Sequence, residues 1–217
     1  MTIIPPASSL NYDIKKKAFK LRIDWMGKFK SIGKLFRVTA ITCIIAVGLL
    51  GVNSDEIKSA EMDLLLLPEA IFTRYIIDSN PKVNMNDAVT MSNSILKWAD
   101  QFNIDPSLLL ALSQTESGFN KHSISSVGAV GLTQIMVRYH VEKIKTAKKY
   151  LPTPELFDIN TNIYLGAWVL RDCLTKFKST NSALLCYNGS NSNPSGYDKV
   201  VLRFKSNIDG YLKSVKA

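Results

Sequence analysis

Between Asp105 and Gly118 the chain carries an apolar run that no polar position interrupts. Leu108, Leu109, Leu110, Ala111 and Leu112 leave no wet face, so the pattern predicts a helix buried on all sides. Asp105 is a good N-cap, because its side-chain oxygen takes a free N–H of the first turn. Pro106 at the first helical position has no N–H to lose, and Gly118 supplies the stop. Ala88, Met91, Ile95, Leu96, Trp98 and Ala99 recur at helical spacing and predict a second helix, one-sided and capped by Asn86 or Asp87. Ile163, Ala167, Leu170 and Leu174 lie on or near one face of a third. Residues 137–149 are rich in lysine and read as an exposed helix, broken by Pro152 and Pro154. Residues 123–131 are rich in Ser and Gly, the composition of a loop whose backbone can approach a ligand closely. Two apolar stretches, 62–67 and 71–77, flank Pro68. They are expected either as short helices lying on the main domain or as a contact with a partner.

One uncharged and almost wholly apolar run is different in kind. Residues 38–52, VTAITCIIAVGLLGV, would form a helix of roughly 22 Å, short of the roughly 30 Å hydrocarbon core of a bilayer. Leu35 and Phe36, with Lys34 and Arg37 snorkelling to the headgroups, bring it near to spanning. Charge supports this placement. Residues 1–37 hold nine Lys/Arg against Asp13 and Asp24, a net +7, while the remaining residues hold 18 against 16, a net +2. The basic excess before the run predicts a cytoplasmic N-terminus, with everything after it beyond the inner membrane. A cleaved signal peptide is the competing reading. The basic region is long for one and no A-x-A-like site follows, so a single uncleaved anchor is expected. The expected organisation is a basic cytoplasmic tail at 1–34 and a transmembrane anchor at 35–52. A connector of undecided structure follows at 53–84, then a mainly α catalytic domain at 85–217. The basic tail, interleaved with Phe19, Trp25 and Phe29, reads equally as a membrane-surface segment or a solvated arm.

Because the +9 charge is largely that of the tail, and no recognisable module accompanies it, nucleic-acid binding is not expected. Cys43, Cys173 and Cys186 are too scattered for a disulfide framework, and His122 and His140 have no metal-site spacing. No metal or cofactor is expected. Cys173 and Cys186 are expected as two core thiols, with a disulfide as the alternative.

The chemistry points to Glu116. Leu108, Leu112 and Glu116 lie four apart on one side of the buried helix, so a carboxylic acid rides on an apolar stripe in the last turn. Desolvation and the negative end of the helix dipole both disfavour its charged form, which raises the pKa. A Glu kept protonated near neutral pH is suited to general-acid work. The plain alternative is a frayed helix end with the carboxyl in water.

ESGFN, followed at family spacing by SSVGAVGLTQIM, LFDINTNIYLGAWVLRDCL and SALLCYNGS, resembles the soluble lytic transglycosylase (SLT) domain family over about residues 88–204. The resemblance implies a lysozyme-like helical domain that cuts the glycan strands of bacterial peptidoglycan. By the same resemblance Glu116 matches the sole catalytic acid, and Ser117 is the serine of the ES pair. Ser125 takes the place of a serine contacting the sugar near the reacting bond, and Gln134 closes the GLMQ motif. Tyr187 matches the tyrosine whose phenol hydrogen-bonds the acid, with Asn188 its neighbour. Thr133 stands in place of Met, Val137 in place of Pro, Val169 in place of Tyr and Cys186 in place of Ala. Gly189 and Ser190 replace the closing Ala and Gly.

Glycosidases commonly need two carboxylates, but none follows Glu116 until Glu142. The family reaction fits one carboxyl, because the C6 hydroxyl of N-acetylmuramic acid attacks its own C1 and gives a 1,6-anhydro end. Two alternatives stand beside this. One is a hydrolytic muramidase of the same fold; the other is a membrane-tethered wall-binding or assembly scaffold with a weak site. A tethered enzyme of this kind fits three settings, namely wall turnover, a secretion or conjugation apparatus and a virus that crosses the wall, with an envelope-spanning assembly partner as a further candidate.

Overall fold

A computed structural model describes residues 66–151, 155–190 and 196–216. The chain divides into two units, Met1–Ser59 and Ala60–Ala217, and every described residue falls in the second. The basic tail, the apolar run at 38–52 and connector residues 53–65 lie outside the described residues. Among the described residues no helix is long and apolar enough to cross a membrane.

The described part is mainly helical. In chain order it holds α1 (Pro68–Ser79), α2 (Met85–Phe102), α3 (Pro106–Ser117), a hairpin of β1 (Ala129–Val130) and β2 (Ile135–Met136), a 3-10 turn (Val137–Tyr139), α4 (Val141–Tyr150), α5 (Ile159–Lys176), α6 (Thr180–Asn188) and α7 (Tyr197–Lys216). Helix α3 follows its sequence signals. The Asp105 carboxylate accepts from Ser107 N at 2.8 Å, Pro106 opens the helix and Gly118 ends it with φ 56°. Leu109, Leu110, Ala111 and Leu112 are fully buried. Helix α2 starts earlier than expected. Its cap is Asn84, whose side chain accepts from Asp87 N, and not Asn86 or Asp87. An N-cap takes an N–H two or three residues ahead, so Asn84 satisfies the Asp87 N–H, which neither Asn86 nor Asp87 could reach.

The stretch after Pro68 packs on the domain, the first of the two fates expected for 71–77; most of 62–67 lies outside the described residues. In α1, Ile71, Phe72 and Ile76 are buried. Ser92 of α2 donates to Glu69 O at 2.8 Å, and Tyr75 donates to Gln114 of α3 at 2.9 Å. The central core joins α1, α2, α3, α5 and α7 through Ile76, Met91, Ile95, Leu109, Leu112, Ile163, Leu170, Val201 and Ile208. A smaller cluster of Ile135, Ile144, Ala147, Leu165 and Val169 seats the hairpin and α4 on α5.

Helix α7 runs antiparallel to α3, and two polar contacts set the register. At one end Lys205 pairs with the α3 cap Asp105 at 2.8 Å. At the other end Tyr197, the first residue of α7, reaches Glu116 in the last turn of α3. Its apolar stripe of Tyr197, Val201, Phe204, Ile208 and Tyr211 keeps a spacing of three or four, so the phenol at position 197 must face the core side.

Candidate active site

The hairpin loop at residues 131–134 is pinned to α5 by Asn162, a fully buried polar side chain. Its Oδ1 accepts from Thr133 N at 2.8 Å and lies 2.8 Å from Thr133 Oγ1, and its Nδ2 donates to Val130 O at 3.0 Å and Leu156 O at 2.8 Å. All four bonding directions of the amide are thus satisfied inside the protein. This explains Thr133 where the family pattern has Met: the hydroxyl joins the network that holds the loop. Gly131 is required by both conformation and space. Its φ is 81°, and a Cβ there would meet Asn162 Nδ2 at 2.1 Å. Gln134 follows with φ 50°, an uncommon conformation for a side chain of its size, and its Nε2 donates to Gly131 O at 2.9 Å.

Glu116 stands beside this loop. Burial raises its pKa from 4.5 to about 7, and the hydrogen bond from Tyr197 opposes the rise. The next turn is tightly bent, because Gly118 and the buried Phe119 both have positive φ (56° and 65°). An aromatic residue pays for that conformation by burial. In return the chain reverses at once behind the acid. No carboxylate contributes to the Glu116 shift; among the described residues Asp105, Asp158 and Asp198 cap helices or bind Lys205 and Asn181 elsewhere.

The phenol assignment changes. Tyr187 was expected on the catalytic acid, but its phenol donates to Thr133 O at 2.7 Å. Tyr197 takes the acid instead. Tyr187 remains close enough for the Glu116 charge to push its own pKa up further, burial being the larger cause. Tyr197 is pushed up as well, first by burial and then by Glu116, so both phenols stay protonated donors at any working pH. Tyr197 sits outside the YN motif, and the sequence signal for it is its position on the apolar stripe of the closing helix.

The remaining expected residues separate into two groups. Gln134, Tyr187 and Asn188 line one cleft of about 110 Å³, together with Ile135, Met136, Tyr139, His140, Val169 and Gly189. Ser117 and Ser125 are tied up in the scaffold. The Ser117 hydroxyl donates to Leu132 O at 2.8 Å, which fastens the end of α3 to the loop. Ser125 Oγ accepts from Ala129 N at 3.0 Å and shapes the turn before β1. Cys173 and Cys186 are not two core thiols but a disulfide, with Cα atoms 5.8 Å apart. The sequence separation of 13 gave no geometry; the pairing follows from α6 folding back along the C-terminal half of α5. No cluster of three metal-binding side chains occurs among the described residues.

The model of the transglycosylase SLT domain matches residues 93–200. The transglycosylase of Enterobacteria phage PRD1 is 36% identical over 105 residues, covering 48% of this chain and 37% of that protein. The membrane-bound lytic murein transglycosylase C of Haemophilus influenzae (strain PittEE) is 36% identical over 84 residues, covering 36% of this chain and 24% of that one. Its counterpart in Edwardsiella ictaluri (strain 93-146) is 37% identical over 75 residues, or 33% and 21%. An inactive mutant of lytic transglycosylase Slt from Pseudomonas aeruginosa aligns with 72% of this chain and 28% of that chain, at 21% identity and a TM-score of 0.41. The chain thus spans little more than a third of the phage relative and about a quarter or less of the bacterial ones. A half-buried acid at a helix end, a loop locked by a buried amide and the matched segment that contains both agree: through residues 93–200, the chain belongs to the transglycosylase SLT domain family.

Proposed function

We propose that the chain is a peptidoglycan lytic transglycosylase that cleaves the bond between N-acetylmuramic acid and N-acetylglucosamine, with Glu116 as its single acid and base. The observation that carries this reading is the placement of the acid: Glu116 sits in the last turn of α3 beside the hairpin loop and is bonded by the Tyr197 phenol, with burial raising its pKa to about 7 and no second carboxylate among the causes. In the protonated form Glu116 gives its proton to the glycosidic oxygen as the C1–O bond breaks. As carboxylate it then takes the proton of the muramyl C6 hydroxyl, whose oxygen bonds to C1. Protons balance, no water is consumed, and the product is a 1,6-anhydromuramyl end. One group with a pKa near the working pH serves both halves of such a cycle. Tyr197 orients the carboxyl and steadies its anionic form. Gln134, Tyr187 and Asn188 line the cleft that would take the neighbouring sugar; Ser117 and Ser125 act through the loop they brace.

The bacterial relatives are named as membrane-bound. With the apolar run at 38–52 and the charge before it, this supports a chain anchored in the inner membrane with residues 85–217 facing the wall. The test is mass analysis of muropeptides released from purified peptidoglycan. Anhydro ends are expected. Ends heavier by one water would assign a hydrolytic muramidase, and no release by a folded chain would favour a wall-binding scaffold.

A further inference from the structure

Helix α6 is short, and its two ends are held differently. At nine residues it is below the roughly 12–15 that an isolated helix needs, so packing must keep it formed. Ala183 and Leu184, in its first half, are fully buried. In its last turn Asn188 is exposed, as is Gly189 just after it. The Tyr187 ring packs against both hydrophobic clusters, and two specific ties are added to that packing. One is the Tyr187 phenol on Thr133 O at 2.7 Å. The other is the disulfide from Cys186 to Cys173 of α5. Cys186 immediately precedes Tyr187 and Asn188, which form one wall of the cleft, and Tyr187 is also near Glu116. A covalent anchor at 186 therefore fixes both the rotation and the height of the two wall residues. We propose that the Cys173–Cys186 bond is a positioning element of the site, and that cleavage of glycan requires it to be formed.

This inference rests on the glycan-cleaving reading above. The bond forms when the two thiols give two electrons and two protons to a disulfide oxidant, which leaves as two thiols; a dithiol reductant reverses the exchange. A chain in a reducing compartment then carries Glu116 with a loosened wall, and one in an oxidising compartment carries the finished cleft. The device confines wall cutting to the side of the membrane where the wall is.

The test compares the full chain in three forms: oxidised, reduced with dithiothreitol, and carrying Cys173→Ala with Cys186→Ala. Circular dichroism and melting above the assay temperature establish that each is folded. Turnover of purified peptidoglycan is expected to fall about tenfold or more in kcat in the reduced and Ala forms, with a smaller change in KM. Oxidised glutathione restores the reduced wild-type chain and leaves the Ala variant unchanged. The carboxyl ¹³C shift of Glu116 gives a second readout that needs no activity. Its midpoint, near 7 when oxidised, is expected to move down on reduction as water reaches the acid past Tyr187. Full activity and an unmoved midpoint in the reduced and Ala forms overturn the proposal. A midpoint that moves while no form cleaves glycan overturns the glycan reading and leaves the positioning role standing. If the Ala pair fails to fold, the reduced wild-type chain decides alone.

Discussion

Asn162 is a buried polar side chain and Glu116 a half-buried one, and they are treated in opposite ways. Asn162 has a partner for every donor and acceptor it owns, from Thr133, Val130 and Leu156. Among the described residues Glu116 is bonded by one phenol, and its pKa has climbed to about 7. A fully bonded buried amide stabilises a loop and has nothing left to give a substrate. A carboxyl with one bond keeps a proton it can lose, at a cost to the fold. The difference separates scaffold from chemistry more sharply than either residue's position does.

Replacing each in turn breaks the comparison at its two ends. Glu116→Gln keeps the shape and the acceptor for Tyr197 but cannot transfer a proton, so release of muropeptides is expected to fall roughly 10²–10⁴-fold. Its stability moves the other way. The folded carboxyl titrates at about 7 and the unfolded one near 4.5, so the unfolded state releases its proton first. The native chain therefore loses stability as pH rises from 4.5 through 7, and the penalty is complete above 7. The Gln variant is expected to gain about 3 kcal/mol over wild type at pH 8 and nothing at pH 4, by chemical denaturation. Equal stability at both values would mean that the acid is wet.

Asn162→Ala should behave as the mirror image. It strands Thr133 N and two carbonyls in the core, so a loss of about 4 kcal/mol in unfolding free energy is expected at every pH, with activity falling only as the loop disorders. Tyr197→Phe is gentler and sharpens the comparison. Removing the one bond that lowers the Glu116 pKa shifts the pH at which the rate falls to higher values, with about a tenfold loss in kcat. Tyr187→Phe, whose bond goes to the loop, should leave that pH nearly in place. At the small end, Arg74→Ala breaks an exposed pair with Asp78 and is expected to change stability by less than about 0.5 kcal/mol.

These same residues show how far the sequence could be followed. The α3 cap, its burial and its αL stop were legible because each is a local signal within one or two turns. Glu116 was legible because it follows Leu108 and Leu112 at helical spacing, which places it on the stripe that enters the core; the helix is buried through Ser113 and its last turn is half-buried. The partner of the acid was not, since Tyr197 lies 81 residues away and reaches it only through the antiparallel pairing of α7 with α3. The Asn84 cap was missed because three short polar residues compete within four positions, and only backbone geometry selects one. The disulfide was missed for a similar reason: nothing in a 13-residue separation says that two helices fold back side by side. Thr133 looked like a departure from its motif, and its meaning appeared only with the amide it binds.

The contact between the end of α3 and the start of α7 also has a consequence for biosynthesis. A ribosome delivers the acid early and the closing helix late, so an unfinished chain carries the carboxyl without the helix that packs over it. Wall-cutting power would be assembled last, when the closing helix emerges and docks, and a polypeptide cut short before Tyr197 should be harmless however well its first helices fold.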